Sequence, residues 1–313
     1  MALNTHHKVM YADSCKELAG QNKSLLKEFV DKDAKTGEAV FFDTIDVGDE
    51  AVQTALANIP EQYRAAFESS GKTFADWLKM QTPHMNVELG RVMLAPEQLD
   101  FGHTFRSFDE MAQNGDPKSK KLRQAMRSIH RKEDAIILSA LFAGSKMVGK
   151  DLGNLTAQAF PTSQILAVPD GVFNLATIIS INEIYDNNFL TDQKKYCVIS
   201  PKAKKSLINN SGDTITSKDF VDSGRYFSKG ELPDVYGICF IVHPGVKDHI
   251  GTFDDAFVVF TEESVVLNQF KALETNLGQA ETQRFQYIFY MEELLNAVRI
   301  DDKTVVQGTL GTA

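Results

Sequence analysis

The first hydrophobic pattern along the chain has the period of a helix. In residues 14–30, SCKELAGQNKSLLKEFV, Leu26 and Phe29 belong to one apolar stripe, and apolar residues three or four positions apart indicate an amphipathic helix. Ser14 with Glu17 three residues later forms a capping box that would begin this helix. The pattern predicts a helix that packs either on the chain's own core or on something outside its own domain.

Two extended segments follow, and a long insert separates them. Residues 37–45, GEAVFFDTI, predict a short strand, and residues 87–105, VELGRVMLAPEQLDFGHTF, predict a second extended segment with a bend at Pro96. The insert contains Trp77, the only tryptophan of the chain. Two strands joined by so long an excursion predict a projecting hairpin arm.

The longest helical pattern covers residues 118–144. Ile129 and Ile136 recur on one face of it, while Pro117 stands near its start and Gly144 just past its end, the usual asymmetry of helix ends. At 1.5 Å per residue such a helix is about 40 Å long, against a mean of about 12 residues in globular domains.

Strands and helices alternate in the second half of the chain, which predicts an α/β region. Ser200 is expected to cap a helix that has Pro201 at its first position. The other predicted elements are a helix over residues 174–189 and strands over residues 194–200, 235–243, 256–268 and 282–295.

Composition narrows the class of protein. The chain has 313 residues, 43% hydrophobic and 24% charged, as a globular protein with a sizeable core would. Its net charge of −9 argues against a free, basic nucleic-acid-binding protein. The three cysteines show no CxxC spacing, which favours reduced thiols in a cytosol. We expect no signal peptide and no membrane span, because no apolar run is long enough.

One short motif suggests nucleotide chemistry. GSKMVGKD, residues 144–151, matches most of a phosphate-binding P-loop. A P-loop follows a strand and opens a helix, whereas this segment follows the predicted helix, and Asp151 replaces the hydroxyl residue that ligates Mg²⁺. A nucleotide-binding enzyme that uses Gly144–Lys150 is therefore a minor alternative, and Gly144 and Gly149 are expected to stop and turn the chain.

Other candidate chemistry is weak. The acidic residues between Asp43 and Glu50 lack the spacing of a calcium loop, and His243 and His249 have no metal-binding partner motif. Neighbouring acidic pairs point apart in a strand and make poor acid–base dyads. We predict no catalytic residue, no metal ligand, no cofactor and no enzymatic activity.

Several stretches, taken in order, resemble the major capsid protein of tailed bacteriophages, which has the HK97-like fold. QNKSLLKEFVDKDAKTGEAVFFDTI is similar to the N-terminal arm that leads into the extended loop (E-loop), and VELGRVMLAPEQLDFGHTF to the return strand of that loop. LRQAMRSIHRKEDAIILSALFAG resembles the spine helix, and KKYCVISPKAKKSLINN the strand-to-helix step of the axial domain. The resemblance covers roughly residues 14–310.

The resemblance implies an α+β fold of five parts. They are an N-terminal arm (N-arm, 1–35), an E-loop with an insert (36–105), a peripheral domain with the spine helix (106–162), an axial domain (163–262) and the return strands of the peripheral domain (263–313). Exposed arms and a long helix are poor choices for a monomer, because they leave apolar surface uncovered unless neighbours cover it.

The implied function is structural. Copies of the chain would form pentamers and hexamers in an icosahedral head that encloses phage double-stranded DNA, bound non-specifically, in a virion assembled in the bacterial cytoplasm. The implied partners are a portal, a separate scaffolding protein and, in some relatives, a decoration protein; no membrane is involved. An encapsulin-type compartment around cargo enzymes, which shares the fold, is the main alternative.

Two sets of residues are candidates for this function. The basic half of the spine helix is either a solvated face or, as the resemblance implies, a surface turned toward the genome. The candidate inter-subunit contacts are Leu26, Phe29, Phe41, Phe42 and Trp77, and the candidate genome-facing residues are Lys118, Lys120, Lys121, Arg123, Arg127 and Arg131, continuing to Lys132. For Trp77 and for the N-arm, a place in the chain's own core is the alternative.

Overall fold

A computed structural model describes residues 23–46, 88–105, 117–149, 152–210, 232, 234–249, 255–280 and 286–311. The helices within these ranges are α1 (Pro117–Phe142), α2 (Leu175–Asn187) and α3 (Pro201–Asn210). The strands are β1 (Asp31–Asp33), β2 (Val40–Asp46), β3 (Glu88–Leu94), β4 (Glu97–Phe105), β5 (Ser145–Gly149), β6 (Leu155–Ala159), β7 (Ile165–Val168), β8 (Lys195–Ile199), β9 (Ile238–Val242), β10 (Asp255–Thr261), β11 (Val265–Ala280), β12 (Gln286–Arg299) and β13 (Val305–Leu310).

A mixed sheet of five strands, in the order β7-β13-β10-β8-β9, forms the centre of the second half. Every residue of β8 and β10 is buried, because successive side chains of a strand point to opposite faces and both faces of this sheet are covered. Cys197 and Ile199 of β8 face α2 and α3, while Tyr196 and Val198 face the layer that contains α1. The region is thus a sheet between two helical layers.

The helix α1 joins this region to the rest of the molecule. Ile137 and Leu141 are fully buried, and they pack in one cluster with Val198 of β8. The same cluster includes Leu267 of β11 and Leu295 of β12. Further toward the start of α1, Ala125 and Ile129 pack with Met291 of β12. The predicted long helix is confirmed.

A second sheet, β1-β11-β12-β4, is built on the long hairpin β11–β12. The register of this hairpin shifts between Gln269 and Lys271 and again between Lys271 and Glu274, and such irregularities bend a strand pair and increase its twist. β4 pairs with β12 along its whole length, so the segment that follows Pro96 is firmly attached to the body.

The remaining sheet, β2-β3-β5-β6, contains the predicted hairpin arm and the P-loop-like segment. β2 and β3 pair antiparallel from Val40–Leu94 to Asp46–Glu88, which confirms both strand predictions. Residues 145–149 form β5, which returns as β6 in an antiparallel pair. Because a strand and no helix follows Gly144, the nucleotide-binding alternative lacks the helix N-terminus that would hold phosphates.

Three sequence-based expectations need correction. Residues 23–30 form turns and no helix, while the predicted cap at Ser14 lies outside the described residues. Residues 256–268 form two strands, β10 and the start of β11, separated by a short 3-10 segment, Glu262–Ser264. The last strand, β13, lies between β7 and β10, so it joins the sheet of the region 163–262 and does not form a return strand of the peripheral domain.

Candidate functional site

The N-arm is fixed to α1 by one buried carboxylate, that of Asp134. Asp134 Oδ1 accepts hydrogen bonds from Ser24 Oγ at 2.6 Å, from the Leu25 backbone N–H at 3.0 Å and from the Leu26 N–H at 3.0 Å. The backbone N–H groups of this turn are therefore satisfied by a side chain 108 or more residues away. Residues 23–30 therefore form turns whose first N–H groups are bound by α1.

His243 completes the surroundings of Asp134. Its Nε2 lies 3.5 Å from Asp134 Oδ2, and its Nδ1 accepts a hydrogen bond from the Gly245 N–H at 3.0 Å. An Nδ1 that accepts leaves the ring proton on Nε2 in the neutral imidazole, so the neutral ring donates toward the carboxylate. The N-arm, α1 and the segment after β9 meet at this point.

A second acidic cluster lies beside the first. Glu133, 2% exposed, forms an ion pair with Lys27 of the N-arm and bonds to His130 Nδ1 at 2.8 Å. Glu293 of β12 is also 2% exposed and accepts a hydrogen bond from Gln269 Nε2 at 2.6 Å. Burial, and then the charge of Glu133, raise the pKa of Glu293. Acidic groups from α1 and β12 thus share one low-dielectric site under the N-arm.

The rest of the described N-arm is tied to β11. β1 pairs parallel with β11 at residues 266–268. The backbone of Lys35 exchanges two hydrogen bonds with the buried side chain of Asn268, at 2.8 and 2.9 Å. Neither Asn268 nor the carboxylate of Glu293 is singled out by a sequence motif, because their partners are distant in the chain.

Two of the predicted inter-subunit contacts are buried within the chain itself. Leu26 is 0% exposed within the core beside α1, so the alternative that the N-arm packs on its own chain holds for this residue. Phe42 is 7% exposed and packs with Val266 and Phe270 of β11. Both stay predictions as inter-subunit contacts, although most of each side chain packs within its own chain.

The other contact candidates stay predictions. Phe29 is partly buried, with its ring centroid 4.8 Å from that of Tyr196. Phe41 is partly exposed on β2. Trp77 lies outside the described residues, as does the whole insert between β2 and β3.

The end of α1 is held by Arg299 of β12, which sequence reasoning missed. Arg299 is 1% exposed, and its Nη1 donates to the carbonyls of Ala140 at 3.2 Å and of Ala143 at 2.9 Å. Its Nε donates to Asp302 at 2.5 Å. Cations at a helix C-terminus offset the partial negative charge of the unpaired carbonyls.

The P-loop-like segment contributes to the same network. Lys146, 9% exposed, lies 3.1 Å from Asp302 and donates to the Ile300 carbonyl at 2.7 Å. Gly149 ends β5 so close to the returning chain that a Cβ there would lie 2.3 Å from the Asn154 carbonyl oxygen. Gly149 thus serves the turn of the β5–β6 hairpin, and Lys146 attaches β5 to the segment that follows β12.

The described part of the basic helix face is a row of arginines. Arg123 and Arg131 are exposed and Arg127 is partly exposed, each four residues from the next. The side chains of Lys118, Lys120 and Lys121 lie outside the described set. The only acidic residues in the sequence of α1 are Glu133 and Asp134, and both are buried. The ionised side chains that α1 exposes are consequently of one sign.

Metal and membrane chemistry find no support in the described part of the chain. It contains no group of three or more His, Cys, Asp or Glu side chains that is placed to hold a metal ion. None of its helices combines the length and the apolar character that crossing a membrane requires.

The fold is that of solved viral shells. The capsid structure of cyanophage P-SCSP1u matches with a TM-score of 0.65 at 14% identity, over 96% of this chain and 92% of that chain. The structure of Mycobacterium phage Che8 matches with a TM-score of 0.61 at 15% identity, over 94% and 93%. A virus-like particle from Pyrococcus furiosus matches with a TM-score of 0.50 at 11% identity, over 91% and 92%. No curated protein sequence matches the chain.

These likenesses show the fold, to which the long helix and the long hairpin belong. The sequence profile of the phage capsid protein family matches residues 3–310. The chain therefore belongs to the phage capsid protein family. The prediction of an HK97-like capsid fold is confirmed, as is that of a major capsid protein that forms the head shell and is not an enzyme. Its place is the capsid of the virion.

Proposed function

We propose that the subunit forms pentamers and hexamers of an icosahedral head that encloses double-stranded DNA, with the arginine row of α1 turned toward the genome. The family match supports the shell. The orientation of α1 toward the genome is carried by its one-sided charge, since both acidic residues of this helix are buried. Arg123 and Arg131 are exposed on this helix and would supply positive charge to phosphate.

The balance of charge suits a container. A net charge of −9 keeps the chain as a whole from binding DNA strongly, and each phosphate contact made by a lysine or arginine adds a salt-dependent increment of affinity. A limited row of basic residues would hold the packaged genome non-specifically without blocking its movement during filling.

The test of this proposal is the DNA content of virions built from a variant. Arg123→Gln, Arg127→Gln and Arg131→Gln together should leave the yield of shells unchanged but lower the DNA retained on heating or at raised salt. The matched control, Lys32→Gln, Lys247→Gln and Lys303→Gln, removes the same charge from exposed positions elsewhere and should retain DNA normally. Unchanged retention in the arginine variant, and in a second variant that neutralises Lys120, Lys121 and Arg123, would count against a genome-facing α1.

The contents of the shell separate the two proposed containers. Heads that hold DNA support the phage role, whereas shells that hold a defined cargo protein and no DNA support the encapsulin-type alternative. The phage family match favours the first. A portal, a separate scaffolding protein and a decoration protein remain proposed partners, and assembly is proposed to take place in the host cytoplasm.

The remaining inter-subunit candidates have a spectroscopic test. Trp77 is the only tryptophan, so the intrinsic fluorescence of the chain reports on this residue with little background. If Trp77 is buried against a neighbour, its emission should shift to shorter wavelength as shells form, and the shift should weaken in a Phe41→Ser variant if Phe41 shares the contact. An identical emission spectrum before and after assembly would place Trp77 outside the interface.

A further inference from the structure

Two exposed aromatic residues occupy backbone positions that normally select glycine or asparagine. Phe189 has φ 58° and is 87% exposed, and Tyr236 has φ 51° and is 62% exposed. Among the described residues other than glycine, these two alone have positive φ. A side chain with a Cβ adopts this left-handed conformation at a free-energy cost, so two exposed aromatics there need an explanation outside the fold of the isolated subunit.

Phe189 ends α2 in a Schellman motif. The Phe189 N–H donates to the Asp186 carbonyl at 3.1 Å, and the Leu190 N–H donates to the Tyr185 carbonyl at 3.0 Å. Both hydrogen bonds of the motif are formed, and the left-handed position that glycine usually fills holds a phenylalanine. The ring contributes almost no packing within the described chain, since it is 87% exposed.

Tyr236 lies in a tight turn before β9. Val235 and Ile238 exchange two backbone hydrogen bonds, at 3.2 and 3.1 Å, and both central residues, Tyr236 and Gly237, have positive φ. This is the type I′ arrangement, whose first central position favours asparagine, aspartate or glycine. The Tyr236 carbonyl accepts a hydrogen bond from Asn182 Nδ2 at 3.4 Å, so the turn rests on α2 about two helical turns before Phe189.

The two aromatics and the last turns of α2 lie at one end of the five-stranded sheet, and α3 begins at the other. Lys195, the first residue of β8, donates to Asn182 of α2 at 2.8 Å, while Ser200, after the last residue of β8, bonds to Asp255 and caps α3. The five residues of β8 separate these ends by about 16 Å.

The helices α2 and α3 carry opposite charge. The sequence of α2 contains the acidic residues Glu183 and Asp186 and no basic residue, and both side chains are exposed. The sequence of α3 contains Lys202, Lys204 and Lys205 and no acidic residue, and Lys202 and Lys205 are exposed. Subunits in a ring meet through two different, complementary patches, because each contact in a cyclic assembly is head to tail.

We propose that Phe189 and Tyr236, together with the acidic side of α2, dock onto the basic helix α3 of the next copy of this chain around each ring. The proposal rests on the proposed function, since it assigns the partner and the surface through which rings close. Aromatic side chains in the centre of an interface contribute most of its binding energy, and the surrounding charges orient the partner.

The test uses glycine substitutions that the backbone itself favours. In Phe189→Gly and Tyr236→Gly the strained conformation is relieved, so the Tm of the unassembled subunit should stay equal or rise. The concentration needed for assembly, measured by light scattering and electron microscopy, should rise about tenfold or more for each. Phe189→Tyr keeps the ring and should assemble like the wild type.

A charge exchange identifies the partner surface. Glu183→Lys with Asp186→Lys should impair assembly, Lys202→Glu with Lys205→Glu should impair it likewise, and the four changes together should restore it. Glycine variants that assemble at the wild-type concentration, or a fourfold variant that stays folded but unassembled, would overturn the proposal. A wild-type chain that forms neither rings nor shells would overturn the proposed function itself.

Discussion

At the scale of single residues, Asp134 holds the N-arm through contacts that water cannot replace. The carboxylate is 0% exposed and accepts from Ser24, Leu25 and Leu26. A buried donor that loses its acceptor forfeits its hydration as well as its hydrogen bond. The attachment of the N-arm therefore depends on one side chain of α1.

Replacing Asp134 by alanine should lower the free energy of unfolding by about 3 kcal/mol, because three buried donors lose their acceptor. The control Ser24→Ala removes one donor and should cost about 1 kcal/mol. Urea denaturation of the unassembled subunit, followed by circular dichroism, measures both. A loss below that of Ser24→Ala would mean that apolar contacts of Leu26 hold the N-arm without the carboxylate.

The buried carboxyl group of Glu293 makes the stability of the folded chain depend on pH. Burial, reinforced by Glu133, raises its pKa in the folded state, so its contribution to stability is complete below the pKa of the unfolded chain. That contribution is lost as pH rises through the folded pKa. Glu293→Gln keeps the acceptor for Gln269 and should match the wild type in acid, yet exceed its stability at pH 7 by an amount on the order of 1 kcal/mol.

The neighbouring carboxylate supplies the control. Glu292 lies partly exposed, 3.3 Å from Lys271 Nζ, so Glu292→Gln should change stability by less than about 1 kcal/mol at either pH. Thermal denaturation between pH 4 and pH 8 measures both variants. A Glu293→Gln protein that is less stable than the wild type at pH 7 would show that Lys27 and His130 outweigh burial at this site.

At the scale of elements, the packing of β10 on β13 depends on a glycine that lies opposite a phenylalanine. Phe257 and Gly308 are register partners in the antiparallel pair. A Cβ built on Gly308 would lie 1.9 Å from the Phe257 ring, and that ring is 0% exposed between α2, α3 and the sheet. The phenylalanine therefore fills the space above the glycine, and both strands can approach closely.

Gly308→Ala should reduce stability by about 3 kcal/mol, since a buried ring in a close-packed core cannot move aside without strain. Gly144→Ala is the matched control, because its Cβ would meet no atom within 4 Å. Differential scanning calorimetry of the two variants gives the comparison. Recovery of stability in a Gly308→Ala, Phe257→Leu double variant would assign the loss to the ring.

Helix bounds and helix caps are features that local sequence patterns predict well. The bounds of α1 agree with the apolar spacing and with Pro117 and Gly144, and the Ala203 N–H donates to Ser200 Oγ at 3.0 Å, as the predicted cap requires. Signals of this kind act over three or four residues and are readable along the chain. The turns at residues 23–30 depend on Asp134, which no local pattern connects to them.

At the scale of the whole molecule, the cores are continuous across the expected domain boundaries. One cluster contains Leu26 of the N-arm, Leu141 of α1, Phe260 of β10 and Leu295 of β12. β13 lies between β7 and β10, although more than 40 residues separate β10 from β13 in sequence. The region 163–262 therefore lacks an interior strand of its own sheet.

A fragment of residues 163–262 should fail to fold, because removing β13 leaves the facing edges of β7 and β10 unpaired. Joining residues 303–311 to this fragment through a short flexible linker should raise its strand content, read by circular dichroism, although the sheet face that α1, β11 and β12 cover stays exposed. The linked fragment contains the same α2 and α3 as the short one and serves as its control. A cooperative transition in the short fragment alone would show that β13 is dispensable.

The resemblance of the sequence to a known family indicated the HK97-like capsid fold, and the sequence by itself determined α1, α2, α3 and the paired strands of the hairpin. These follow from periodicity, capping and turn residues, which act between near neighbours. Only the tertiary structure decided that Asp134 binds the N-arm at residues 24–26, that β13 enters the middle of a sheet, and that Phe189 and Tyr236 project from left-handed turns. The first two depend on partners 45 to 142 residues away. The projection of the two aromatics depends on backbone geometry and on which side chains the fold leaves uncovered.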